Sequence, residues 1–530
     1  MIGFSRRALL GGAGALLLPA GFAKAQEGRV VETAQGRYRG LFVNGVHVFK
    51  GMRYGASTAG AARFMPPKPP ERFAGVVDAF DYGPQTPQYR GSLAGPQPMS
   101  EDCLRINVWT PNIDNRKRPV MLWFHGGGFE SGSGASALYD GTNMCKRGDV
   151  VLCTINSRLN VFGFCDLSSF LGGEFAQSGN CGYLDLVRSM QWVRENIAAF
   201  GGDPSNIMIY GQSGGGRKVT VCFAGKEANG LFAKGVVQSG SHLLIQTKDQ
   251  ARALTADLLK RLNIAENNAR ALQQVPQDRL TEVQRQVIAA AGYRFEPVMD
   301  GIAFTAHPFI PNAPAQTARV PMMVGTAQHE LANQMGNDPA VHTIDEAGLR
   351  QRLTMLPPGD RDEAIRVFKA STPSGSYPEM FFKIASWRSY IRNATIMAEQ
   401  RSRLNGARNP TWMYQVTWRS PVEGGRRFAQ HSSDLPFMFD NVERGAARYT
   451  GPPSRETQVM ADAMANAWIA FARNGDPNHP GIPRWPTYEE TSRPVMLFEV
   501  PPKVVNDPFK TEREFMARYQ PVRATSSGDS

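Results

Sequence analysis

The stretch Gly211-Gln212-Ser213-Gly214-Gly215 directly follows the short apolar run Ile207–Tyr210, and it limits the possible folds more than any other feature of the chain. A strand that passes into a helix through glycines can turn tightly enough to push a serine oxygen clear of the backbone. The helix start also places a partial positive charge beside Ser213. With 53 glycines in the chain, G-x-S-x-G alone says little, so its surroundings matter. The required strand precedes it and no proline interrupts the helix that follows. Two further stretches join it. His125-Gly126-Gly127-Gly128-Phe129 follows the apolar run Val120–Phe124, and such a glycine loop can aim bare N–H groups at a developing oxyanion. His431 precedes Asp434-Leu435-Pro436-Phe437 and supplies a distal base in the chain order nucleophile, acid, histidine. Together these residues imply attack on an acyl bond through a serine acyl-enzyme.

The rest of the chain alternates in the same sense. Arg29–Thr33, Gly36–Tyr38 and Val46–Phe49 read as short strands, as do Ile106–Trp109, Val150–Ile155, Gly235–Gln238, Met322–Gly325, Trp412–Val416 and Val495–Phe498. Leu184–Phe200 has helical periodicity and stops at Gly201-Gly202-Asp203-Pro204. The alternation predicts an α/β architecture: a large, mostly parallel twisted sheet flanked by helices. Two helical insertions are expected, around 247–290 and 343–408. The second carries Phe381, Phe382, Trp387 and Tyr390 and is placed to cap a pocket. The catalytic region is expected to run as one domain over 26–523, with a disordered tail over 524–530.

The first 25 residues read as a leader. Ser5-Arg6-Arg7 precedes an apolar, glycine-rich run, and Ala23-Lys24-Ala25 offers a small-x-small cleavage site. This predicts a twin-arginine signal peptide and a periplasmic or secreted protein beginning near Gln26. No later run is apolar and long enough to span a bilayer, so no stable membrane insertion is expected once the leader is removed. The formal net charge of +12 is dispersed along the sequence, with no basic stripe or nucleic-acid module, which argues against a nucleic-acid partner. The six cysteines include no C-x-x-C pair, and neither a metal site nor a cofactor motif is expected.

The identity of the base and acid follows less directly. His125 precedes the glycine run and reads as a loop brace. His47, His242 and His307 fall outside the order that a distal base requires, and His479 lies in the turn Asn478-His479-Pro480, expected to face solvent. His431 is the preferred base. For the acid, Glu330 follows the strand ending at Val324-Gly325, while Asp300 and Asp434 remain rivals on spacing alone.

The chain resembles the type-B carboxylesterases, the family that includes cholinesterases and bacterial para-nitrobenzyl esterases. The resemblance rests on Glu101-Asp102-Cys103-Leu104-Arg105-Ile106-Asn107-Val108-Trp109, on Gln191-Trp192-Val193 and Phe200-Gly201-Gly202-Asp203-Pro204, on Gly325-Thr326 with Glu330, and on Phe471-Ala472-Arg473 and Trp485-Pro486. It covers nearly all of the chain after the leader and implies an α/β-hydrolase fold acting on a small-molecule ester without a cofactor. It further implies Ser213 as nucleophile, Glu330 as acid and His431 as base, with the N–H groups of Gly127, Gly128 and Gly214 as the oxyanion hole. Gln212 and Ser239 would support the site, and Phe129 and Phe437 are candidate pocket residues. The chain departs from the family pattern at Gln212 (usually Glu), at Gly214 (usually Ala) and at Ala327, His329 and Leu331 of the acid loop. Thr86 stands where the family usually has the cysteine partner of Cys103, so the first family disulfide is expected to be absent. Two alternatives remain at this level: hydrolysis or transfer of another acyl bond, such as an amide or thioester, and a catalytically silent cholinesterase-like binding protein. The sequence leaves the oligomeric state open.

Overall fold

The computed structural model describes residues 26–89, 95–405 and 410–522. The expected leader and the expected C-terminal tail lie outside these residues. Thirteen strands form one mixed sheet among them. In chain order they are β1 Gln26–Thr33, β2 Gly36–Val43, β3 Val46–Arg53, β4 Val76–Asp78, β5 Arg105–Thr110, β6 Arg118–Phe124, β7 Val151–Ile155, β8 Gly202–Gln212, β9 Lys234–Gln238, β10 Met322–Ala327, β11 Thr411–Val416, β12 Pro494–Phe498 and β13 Lys503–Asn506. The spatial order is β1-β2-β3-β5-β7-β6-β8-β9-β10-β11-β12-β13, with β4 paired to β2. From β7 to β12 every neighbouring pair is parallel. Antiparallel pairs close both edges.

The central strands are buried on both faces, so their sequences read as unbroken apolar runs. Alternation still decides which side chain goes where. On β6, Val120, Leu122 and Phe124 enter one core cluster while Met121 and Trp123 enter the other; on β8, Ile207 and Ile209 part from Met208 and Tyr210 in the same way. The helices α1 (Cys181–Asn196) and α2 (Gly214–Ala224) contribute Trp192, Val193, Val219 and Phe223 to the first cluster. Most of α1 is buried, Asp185 included, and Arg158 forks the Asp185 carboxylate at 2.9 and 2.7 Å.

Helices occupy the stretches 247–290 and 343–405. The first holds α3 (Lys248–Arg261) and α4 (Gln277–Ala291). The second includes α5 (Tyr377–Ser386), a π-type turn at Trp387–Ile391 and α6 (Arg392–Asn405). Phe381, Phe382 and Trp387 pack into a separate apolar cluster with Phe515 and Met516 near the C-terminus. A long helix, α7 (Arg455–Asn474), begins with a capping box at Ser454 and Thr457 and covers the second face through Met464, Trp468 and Phe471. Among the described residues no helix is long and apolar enough to cross a membrane.

Register places the site. Phe124 lies opposite Gly211, Gln212 opposite Gln238, and Gly325 opposite Gln238, so the carboxyl ends of β6, β8, β9 and β10 are level. The crevice beyond the carboxyl ends of parallel strands is where open α/β sheets bind ligands.

Candidate active site

Ser213 sits at the junction of β8 and α2 with φ 58° and ψ −121°. A non-glycine residue in this region stores on the order of 1–3 kcal/mol of backbone strain. The surroundings hold it there: Ser213 N donates to the Gln238 carbonyl at 2.8 Å, and its own carbonyl accepts from Arg217 N at 3.0 Å. The helix therefore starts at the serine, which is 9% exposed.

The glycine loop after β6 packs directly on this elbow. A Cβ at Gly214 would lie 2.1 Å from the Gly128 carbonyl oxygen and 2.2 Å from Gly128 N. An alanine here, which the resembled family usually carries, would therefore require the Gly128 backbone to shift. Gly127 has φ 93°, a conformation that L side chains rarely adopt. The loop carbonyls are tied down: Gly126 O contacts His125 Nδ1 at 2.8 Å, and Gly127 O accepts from Glu130 N and Ser131 N at 3.2 and 3.0 Å. In a trans peptide the N–H points opposite to the C=O. Fixing those two carbonyls therefore aims the N–H groups of Gly127 and Gly128 the other way, and neither donates to a protein acceptor among the described residues. Gly214 N, in the first turn of α2, is free for the same use.

Lys218 completes this arrangement and was not singled out by the sequence. It is 2% exposed, and its Nζ donates to the carbonyls of His125 at 3.0 Å and Gly128 at 3.1 Å. Burial and then the adjacent Arg217 charge push its pKa down to about 7. Burial and the Lys218 charge push His125 down to about 3, so His125 is a neutral brace, as its position suggested.

The acid and base loops are joined by backbone. His329 and Gln430 form a parallel β-bridge, with His329 N donating to Ala429 O at 2.9 Å. One residue further along each loop, a carboxylate oxygen of Glu330 hydrogen-bonds His431 Nδ1. The other oxygen accepts from Ala327 N at 2.8 Å, and Glu330 is fully buried. The two rivals are occupied elsewhere. Asp300 accepts from the backbone of Ile302, Ala303 and Phe304 and from Asn180, as a turn residue would. Asp434 accepts from Gln238 Nε2 at 2.7 Å, and burial pushes its pKa up to about 6. Gln238 thereby links Asp434, the Ser213 backbone and Trp468 Nε1, a role with no local sequence signal.

At the other side of the ring, Gln212 Nε2 lies 3.1 Å from His431 Nε2 and 3.5 Å from Nδ1. No hydrogen bond joins Ser213 Oγ to His431. Tyr390, from the π-type turn, lies 5.2 Å ring to ring from His431. Such turns recur at functional positions. Ser239, directly after β9, has φ 49° and donates its N–H to Gly325 O at 2.8 Å. Phe129 is buried against Phe164 and His242, and Phe437 is fully buried against Trp418, so both pack the elements that carry the site. His479 is half-buried rather than solvent-facing, because its Nε2 pairs with the Ala463 carbonyl at 3.0 Å. Among the described residues no group of three or more His, Cys, Asp or Glu is placed to hold a metal ion.

The chain has relatives. The Carboxylesterase family model matches residues 27–516. The para-nitrobenzyl esterase of Bacillus subtilis is 32% identical over 505 residues, spanning 92% of this chain and 98% of that enzyme. The phenmedipham hydrolase of Pseudarthrobacter oxydans is 30% identical across 88% of this chain and 94% of its own. The solved structure of a Geobacillus stearothermophilus carboxylesterase is similar with a TM-score of 0.79 at 35% identity, covering 92% of this chain and 99% of that one. With these matches along almost its whole described length, the chain belongs to the carboxylesterase family and is a carboxylic ester hydrolase of the α/β-hydrolase fold.

Proposed function

We propose that the chain hydrolyses small-molecule carboxylic esters through an acyl-enzyme on Ser213, with His431 as base, Glu330 as acid and the N–H groups of Gly127, Gly128 and Gly214 as the oxyanion hole. The observation that carries this reading is the buried Glu330–His431 pair, with Gln212, the residue before Ser213, 3.1 Å from the ring's Nε2. Ser213 Oγ attacks the ester carbonyl carbon as His431 Nε2 takes its proton. The three N–H groups bind the resulting oxyanion. The imidazolium then protonates the departing alkoxide, and the alcohol leaves. Water attacks the acyl-enzyme and gives its proton to His431, which returns one to Ser213 Oγ as the acid is released. Glu330 orients the ring and supports its positive form, Gln212 lies against it, and Ser239 braces the strand end beside Gly325.

Turnover of a short-chain p-nitrophenyl ester and its matching anilide tests the bond type. The account expects hydrolysis of the ester and little or none of the anilide. Preferred cleavage of the anilide would move the assignment to amide chemistry, and cleavage of neither would point to a binding role.

We further propose export by the twin-arginine route, on the strength of Ser5-Arg6-Arg7, the apolar run and Ala23-Lys24-Ala25. N-terminal sequencing of the exported protein should begin near Gln26, and replacing both arginines by lysine should retain the precursor inside the cell. Unchanged export of that variant would contradict the route.

A further inference from the structure

Among the described residues, six arginines fork a carboxylate with the same edge of the guanidinium, Nε together with Nη2. Arg39 does so on Asp78, Arg63 on Glu101, Arg147 on Asp440, Arg158 on Asp185, Arg403 on Glu490 and Arg513 on Asp507. Arg217 presents that same edge to no carboxylate, and the side chain that interacts with it is the Tyr390 phenol. It is 4% exposed, and both Nε and Nη2 are buried without a hydrogen bond. No carboxylate among the described residues lies within ion-pair distance of it.

Its place makes this informative. Arg217 is one helical turn after Ser213, bonded through its backbone to the serine carbonyl. Its charge acts on the Tyr390 phenol, pulling against the upward push of burial, and Tyr390 lies 5.2 Å ring to ring from His431. The Tyr390 hydroxyl is buried beside Arg217 and Gln334, and no carboxylate pairs with it. The next residue, Lys218, is a second buried cation whose partners are two neutral carbonyls. A buried guanidinium without a counter-charge is costly, and a fork of parallel N–H donors matches a carboxylate in geometry as well as charge.

We propose that Arg217, with the Tyr390 hydroxyl, binds a carboxylate carried by the substrate, so that the preferred substrates are esters bearing a negative charge a few bonds from the scissile carbonyl. This rests on the ester hydrolase reading and names its substrate class. The charge sits on the acyl part, as in a monoester of a dicarboxylic acid, or on the alcohol part, and the two placements are separable by experiment.

The test compares kcat/KM for p-nitrophenyl hemiglutarate with that for p-nitrophenyl pentanoate (acyl-side charge), and for 3-carboxyphenyl butyrate with that for phenyl butyrate (alcohol-side charge). Wild type should favour the charged member of one pair by about tenfold or more, the size of a charge-assisted hydrogen bond. Arg217→Gln should abolish that ratio, chiefly through KM, and Arg217→Lys should keep a smaller part of it because the charge remains and the fork is lost. Two results would overturn the proposal. One is wild type hydrolysing the uncharged esters without preferring either charged one, which leaves the ester hydrolase reading standing; this arm needs no variant to fold. The other is Arg217→Gln lowering charged and uncharged esters by the same factor with a shifted pH profile, which would make Arg217 a counter-charge to Glu330. Failure to hydrolyse any of the four esters would remove the ester reading and this inference together.

Discussion

Gln212 rests its amide against both nitrogens of His431, in a place where the resembled family usually carries glutamate. A carboxylate at this distance would favour the protonated ring. Gln212→Glu should therefore move the acidic limb of the kcat/KM profile to higher pH, by about one unit, because the free base becomes available only further up the scale. An unmoved limb, or one moved down, would uncouple residue 212 from the base. The acid assignment is tested at the same scale. Glu330→Gln should cut kcat by about 10³-fold or more, since the ring loses its orienting carboxylate. Asp300→Asn should change kcat by no more than about threefold, because Asp300 closes a turn and pairs with Asn180, away from His431. Comparable losses in two folded variants would leave the acid unassigned. Legibility differed among these residues for a physical reason. Ser213 and the glycines announce themselves because a tight elbow and a carbonyl-fixed loop need special backbone at fixed spacing. Glu330 could be separated from Asp300 and Asp434 only by resemblance, since its contact with His431 depends on the register of two loops distant in sequence.

At the scale of elements, the glycine loop and helix α2 act as one unit. Lys218 pins the loop from below through the carbonyls of His125 and Gly128, and Gly214 receives it at backbone contact. Gly214→Ala should push Gly128 away and lower kcat by about 10²-fold, the scale of a lost oxyanion donor, while the protein remains folded. Wild-type kcat in that variant would show that the loop has room the contact denies. Lys218 also carries a pH signature. Below about pH 7 it is protonated in both folded and unfolded chains, and the cost of its burial is constant. Above that, up to the ordinary lysine range, the unfolded chain holds a proton that the folded chain has released, so stability contributed at this site rises with pH. Relative to Lys218→Met, wild type should therefore gain Tm between pH 7 and pH 9, in scans at matched rate; a gap that is constant or narrows would contradict the sign. The strands and helices were legible because their apolar periods are local. Lys218 and Arg217 were not read as part of the site, although two consecutive cations in a helix that must be buried were a signal in the sequence. Phe129 and Phe437 were legible as apolar residues near the motifs, but only packing shows that they brace the core.

For the whole molecule, the thiols provide a global check on packing. All six cysteines are buried and unpaired, and Thr86 Oγ1 lies 3.2 Å from Cys103 Sγ, where a cysteine would have been needed to bridge it. Burial pushes the Cys103 thiol up to about 12. Native, unreduced protein should react with almost no thiol reagent, and the same sample in denaturant should titrate six thiols. Fewer than six would require a disulfide and a different packing around the cysteines it joins. The central claim, however, is that the levelled ends of β6, β8 and β10 make Ser213 the nucleophile of an ester hydrolase. Its most direct measurement is mass mapping of the purified protein after reaction with a fluorophosphonate, alongside the Ser213→Ala variant and an assay of ester hydrolysis. The account predicts a single adduct on Ser213, none on the variant, and a fall in kcat of several orders of magnitude with the fold intact. An adduct on another residue, with hydrolysis retained in Ser213→Ala, would contradict it.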